Sequence, residues 1–131
     1  MLFITRKSID RLTEPYREPD MLACYAISQT ISSPTSKAIL LINRERLRVL
    51  FLNVFSSKVV ETVDFALDDL QHQKLKSGMR LSAIWSFQLN GTQWRFSMIK
   101  KMLTLGSMQG DFLSFLNQHI WKDLGYTENS N

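Results

Sequence analysis

A chain of 131 residues with 44% hydrophobic and 21% charged side chains has the makeup of one globular domain around one core, which excludes wholesale disorder and fibrous repeats. Its formal charge of +4 is small and scattered, so it does not by itself select a nucleic-acid or membrane partner. The single cysteine, Cys24, excludes an internal disulfide and suits a reducing compartment. Residues 1–4 are apolar but Arg6 and Lys7 follow at once, a pattern of neither a signal peptide nor a membrane span, so a cytoplasmic protein is expected.

Residues 5–14 carry helix signals: Ser8 is placed to cap, Ile9 and Leu12 share a face, and Pro15 ends the run. So short a helix must dock on the body or on a neighbour. A first strand is expected over 21–31, where Met21, Ala23, Tyr25 and Ile27 alternate, with a turn at Ser32, Ser33, Pro34 and Thr35. The apolar runs 37–42 and 47–55, separated by a turn at 43–45, read as central strands covered on both faces. Leu50, Leu52 and Val54, with Ile84 further on, fall on the nominally outward face and need cover. Val59, Glu61, Val63 and Phe65 form a fourth strand, residues 66–69 a turn in which Asp68 and Asp69 are placed to cap, and 70–76 a polar fifth strand at a sheet edge.

Ser77 and Gly78 break the pattern. Strand 79–89 then puts Leu81, Ala83, Trp85, Phe87 and Leu89 on one face, and Asn90-Gly91 signals a type I′ hairpin into 92–100, where Trp94, Phe96 and Met98 continue that face. From Ser107 the period lengthens: Met108, Phe112, Phe115, Leu116, His119 and Ile120 make one helical stripe over 107–123. Ser107 suits the N-cap, Asp111 and Lys122 suit the two dipole ends, and Gly125 suits the position just past the helix, with 125–131 a tail.

About seven antiparallel strands closed by a C-terminal helix resemble the pleckstrin-homology superfold in its bacterial branch. The resemblance covers roughly 20–121 and is carried by three stretches. Ala38-Ile39-Leu40-Leu41-Ile42-Asn43-Arg44-Glu45-Arg46-Leu47 looks like the family's apolar strand, turn and Arg-Leu opening of the next strand. Phe65-Ala66-Leu67-Asp68-Asp69-Leu70 resembles its acidic connector, and Asn90-Gly91-Thr92-Gln93-Trp94-Arg95-Phe96 its last hairpin. The resemblance implies a mainly β fold: a bent, partly open sheet plugged by the final helix in a domain spanning 20–124, with residues 1–19 a helical extension. It also implies a binding module, since members bind phosphoinositide head groups, peptides or other proteins and some self-assemble. Fold alone does not choose among these. A head-group site of that superfold uses a Lys late in one strand and an Arg-x-Arg in the next. Lys37, Arg44 and Arg46 match that spacing, but the expected register sets Lys37 at the opposite end of its strand from the arginines.

Reactive chemistry is sparse. Cys24 has no charged residue within three positions and reads as a small buried hydrophobe; His119 reads as a hydrogen-bonded core or rim histidine and His72 as solvated. No zinc spacing and no glycine-rich phosphate loop occur, so no enzyme, metal or cofactor is expected. The aromatic row Trp85, Phe87, Trp94 and Phe96 reads as core rather than as a base-stacking platform, which argues against a nucleic-acid partner. The expectation is a non-catalytic domain that associates with itself or another protein, through the edge residues Gln71, His72, Gln73 and Lys74 or the N-terminal helix. The alternative is an anionic membrane surface met by Arg6, Lys7 and Arg11 with Lys37, Arg44, Arg46 and Arg48.

Overall fold

The computed structural model describes residues 4–29, 37–77 and 81–129, with side chains as far as Ile120. Helix α1 (Arg6–Thr13) precedes strands β1 (Leu22–Ser28), β2 (Lys37–Ile42), β3 (Arg46–Leu52) and β4 (Val59–Ala66). A 3-10 turn (Leu67–Asp69) leads to β5 (Gln71–Ser77), β6 (Ser82–Leu89) and β7 (Thr92–Ile99), and a second one (Leu103–Leu105) to helix α2 (Met108–Asn129). The strands form one open antiparallel sheet in the order β4, β3, β2, β1, β7, β6, β5, so β4 and β5 are its edges. Seven strands, a closing C-terminal helix and a short N-terminal helix are the architecture expected from the sequence. The turn at 32–35, the break at Gly78, the outer ends of the first and sixth expected strands and residues 1–3 lie outside the described residues.

Strand alternation sends neighbouring side chains to opposite faces, and each face has its own core. On the inner face, Leu40, Val49 and Cys24 join Trp85, Phe87 and Phe96 beneath Phe112 and Leu116 of α2. The aromatic row is therefore core, with Trp94 half-buried at its rim and Phe65 of β4 packed edge-on against it, ring centroids 5.0 Å apart. On the outer face, Ile39, Leu41, Leu50 and Leu52 lie beneath Ile9 and Leu12 of α1, with Leu105 and Met108 alongside. The central strands are thus buried on both sides, as apolar residues on both faces require, Arg48 of β3 being the polar exception. Leu50 and Leu52 do need cover, but the chain's own N-terminal helix supplies it.

The α1 start is a capping box: the Thr5 side chain accepts from Ser8 N–H, and the Ser8 hydroxyl receives the Thr5 N–H. Ser8 is the third helical residue of that box rather than the cap. The β2–β3 turn is built by the buried Asn43, whose Oδ1 accepts from the N–H groups of Glu45 and Arg46 at 2.9 and 2.8 Å. Its Nδ2 donates to Glu18 and Asp20, fastening the connector after α1 to the sheet. Asn90 and Gly91 both have positive φ, 51° and 80°, as the type I′ turn demands.

Four further local expectations differ. The third strand ends at Leu52, not residue 55, so Val54 is exposed, as is Phe55. Leu81 does not share the inward face of Ala83; it precedes β6 with φ 47° and is 76% exposed. The 3-10 turn after β4 has no side-chain cap from Asp68 or Asp69, its first position being held by Ala66 in extended conformation. Helix α2 runs through Gly125 to Asn129, so that glycine does not mark its end.

The two halves of the sheet meet at a short seam. β1 pairs with β7 at Ile27 with Ser97 and Ser28 with Phe96, and the Gln29 N–H donates to the Arg95 carbonyl at 2.8 Å just beyond. Continued by two residues, that register would face Tyr25 with Ile99; instead the strands splay and the buried Gln109 side chain fills the gap. Its Oε1 accepts from Tyr25 N–H at 2.7 Å, and its Nε2 donates to the carbonyls of Tyr25 and Ile99 at 2.9 Å each. At this point the chain passes from the outer core, where Met108 packs, to the inner one, where Phe112 packs.

Candidate functional site

The four basic residues proposed for an anionic ligand do not converge. Lys37 opens β2 and its Nζ donates to the Val54 carbonyl at 2.7 Å, while Arg44 and Arg46 lie beyond the opposite end of that strand. Arg46 pairs with Glu18 at 3.6 Å. Arg48 pairs with Asp64 at 2.6 Å and Glu18 at 3.7 Å, and donates to the Tyr16 carbonyl. The Asp64 hydrogen bond, aided by the charges of Asp64 and Glu18, holds the Arg48 guanidinium still more firmly protonated than usual. Arg44 stands apart, at a shallow hollow of about 310 Å³ shared with Phe115, Gln118 and His119. The sequence cluster at 44–48 is thus largely matched by acids from the connector and β4, partners that sequence spacing does not reveal.

Cys24 is fully buried, and loss of hydration pushes its thiol well above the ordinary range, only partly offset by a hydrogen bond with Gln109. A thiol so held stays protonated and is a poor nucleophile. Among the described residues no group of three or more His, Cys, Asp or Glu is placed to hold a metal ion. No helix among them is long and apolar enough to cross a membrane.

The fifth strand is at an edge as expected, but its two halves differ. His72 and Gln73 together oppose the single Phe87, a bulge in which His72 has φ 55°. Gln73 turns inward: its Oε1 accepts from the Trp85 indole at 3.3 Å and its Nε2 lies 3.3 Å from His119 Nε2. It satisfies a buried tryptophan and anchors α2, and so is not presented along the edge. Of the four residues expected to offer that edge, Gln71 and His72 are exposed on the bulged half, and Lys74 begins the regular half. Residues 74–77 pair in unbroken register with 86–83 and, among the described residues, have no strand on their other side.

Beside this regular half lies a trench of about 320 Å³ between β5 and α2. Its apolar wall is Leu75, Ala83 and Leu113; Ser77, Lys76, Lys100 and Asn117 line the rest, and Gly110 opens its helical side. Gly110, Leu113 and Asn117 recur at the spacing of one helix face. Lys100 reaches across the mouth, Nζ donating to Ser77 Oγ at 3.2 Å. The sequence marked β5 as an edge, but the trench depends on how α2 lies over it. Neither a known protein family nor a curated protein matches this chain.

Proposed function

We propose that this protein is a non-catalytic interaction domain of the bacterial pleckstrin-homology type, acting by association with another protein or with itself. The reading rests on one observation above others: a regular strand edge at 74–77, unpaired among the described residues, running beside a trench under α2. Exposed edges template the addition of a further strand, and proteins that do not use an edge blunt it with bulges or charge. Here the bulge blunts only the half at 71–73. The one thiol is sealed in the inner core and held protonated, which agrees with a non-catalytic reading. Light scattering of the full chain across micromolar concentrations, with affinity capture from a lysate, tests this. The expected result is a mass above the monomer or a retained partner, with slowed amide exchange at 74–77. A strict monomer that retains nothing overturns the reading.

A second reading, attachment to an anionic membrane, is favoured by a different feature. Leu103 is 92% exposed and follows Lys100 and Lys101, an apolar tip on a basic base. Co-sedimentation with phosphatidylserine vesicles at low salt, abolished in Leu103→Ser, is its expected signature; no sedimentation excludes it.

A further inference from the structure

We propose that the outer face of β5, β6 and β7 binds double-stranded nucleic acid through its phosphate backbone, without reading base sequence. That face is distinct from the β5 edge on which the association reading rests.

The first observation is where the charge lies. Basic residues are spread along the chain, but acidic ones are not: between Asp69 and Asp111 there are none, against the six basic residues Lys74, Lys76, Arg80, Arg95, Lys100 and Lys101. The other ten basic residues are outnumbered by the twelve acidic ones, so this one segment supplies the whole positive excess. β1 and β2, which complete this side of the sheet, carry no carboxylate either. Arg17, Arg46 and Arg48 each pair with a carboxylate of the chain, but among the described residues no ion pair engages Lys74 or Lys76.

The second is the face to which the fold sends these cations. Leu75 and Ser77 turn to the trench, so Lys76, which borders it by its backbone, turns its side chain to the outer face with its partner Ile84. Lys74 does the same with Ser86. The rows continue across the sheet: Ser86 pairs with Arg95, Ile84 with Ser97, Ser97 with Ile27, and Ile27 with Lys37. Helix α1 packs on this side only over the other half of the sheet, and Lys74, Lys76, Gln88 and Gln93 are exposed. Arg95 is steadied by Gln29, its Nε donating to Oε1 at 2.8 Å.

The third is span. Strands about 4.8 Å apart put the Arg95 backbone about 10 Å from that of Lys74, and Lys37 about 19 Å along the sheet from Lys76. Charges so spaced cannot close on one phosphate ion, whereas a duplex offers a negative charge for about every 1.7 Å of its axis. Ser86, Ser97 and Gln93 place hydroxyls and an amide between the charges, groups that bond phosphate and sugar oxygens. Trp85, Phe87, Trp94 and Phe96 all belong to the inner face, so no Phe, Tyr or Trp of these three strands is turned outward. Single strands are held by stacking on such rings; here the aromatic core removes that mode and leaves backbone contact.

The test uses the full chain with two short dye-labelled DNA duplexes of unrelated sequence, read by fluorescence anisotropy, with a single strand and phosphatidylserine vesicles as comparators. Both duplexes are expected to bind equally and more tightly than the single strand. Log affinity against log salt should fall with a slope of about −3, near −0.9 for each of Lys74, Lys76 and Arg95. Lys74→Ala/Lys76→Ala should reduce that slope by about 2, and Lys74→Glu/Lys76→Glu should lower affinity by at least about tenfold. Lys58→Glu, an exposed site beside the opposite edge strand, should leave affinity within about twofold. Thermal melts show whether each variant is folded. No duplex binding at low salt, or preference for the single strand, overturns the inference. Undiminished binding by a folded Lys74→Glu/Lys76→Glu, or an equal loss in Lys58→Glu, overturns the face. Binding confined to the vesicles overturns it in favour of the membrane reading. The association reading is decided separately by light scattering and capture, so the two fail independently.

Discussion

Gln109 stands where a ladder pair between Tyr25 and Ile99 would otherwise form, its primary amide supplying one acceptor and two donated bonds to the main chain. Substitution by alanine strands the Tyr25 N–H and two carbonyls at the seam of the sheet. Each buried unsatisfied group costs about 1–3 kcal/mol, so Gln109→Ala should lower unfolding free energy by roughly 3 kcal/mol, read from the urea midpoint at unchanged slope. Cys24 permits a prediction in pH. Its folded value is raised above the ordinary 9.0, so the stability it contributes is whole below that value. That stability is lost as pH climbs toward the folded value, because only the unfolded chain then releases the proton. Between pH 8 and pH 10 the protein should lose about 1.4 kcal/mol that Cys24→Ala does not lose. The native thiol should also resist alkylation at pH 8 and react on unfolding; ready alkylation of the folded chain would contradict its burial.

At the scale of elements, α1 is a lid on the outer face as α2 is a plug on the inner one. Its capping box fixes where it starts, and Ile9 with Leu12 faces Leu50 and Leu52 while Lys7 and Arg11 stay in water. Ile9 is wholly buried, so Ile9→Ala should cost about 2–5 kcal/mol in chemical denaturation. Lys7→Ala on the exposed side should move stability by less than about 0.5 kcal/mol. Equal, small effects at both sites would mean that α1 is not docked in solution. The apolar face at Leu50 and Leu52 is satisfied within one chain, and the case for a partner passes to the regular half of β5.

For the whole molecule, one sheet carries two cores, and every apolar side chain of β2 and β3 belongs to one or the other. Opening either core exposes strands on which the other depends, so the two should unfold together. Tryptophan emission, which reports the inner core through Trp85, and far-ultraviolet circular dichroism should give coincident urea transitions in the parent and in Ile9→Ala. A separate early transition of the outer layer in that variant would show α1 and the sheet to be independent units.

Local chemistry determined much of this protein. Strand periods, the Asn90-Gly91 hairpin, the unbroken apolar runs of the central strands and the stripe from Met108 to Ile120 each follow from neighbours a few positions apart, where sterics and alternation act. The element order, the inward aromatic row and the edge position of β5 were legible for that reason. Only the tertiary structure decided what depends on residues far apart in sequence. Glu18 and Asp64 of β4 pair with Arg46 and Arg48, α1 covers Leu50 from within the chain, and Gln73 turns in to meet Trp85 and His119. Gln109 bridges the splayed strands 84 positions from Tyr25, and the trench exists only because α2 crosses β5 at the level of Gly110. Such contacts depend on the packing of whole elements, and no local pattern encodes them.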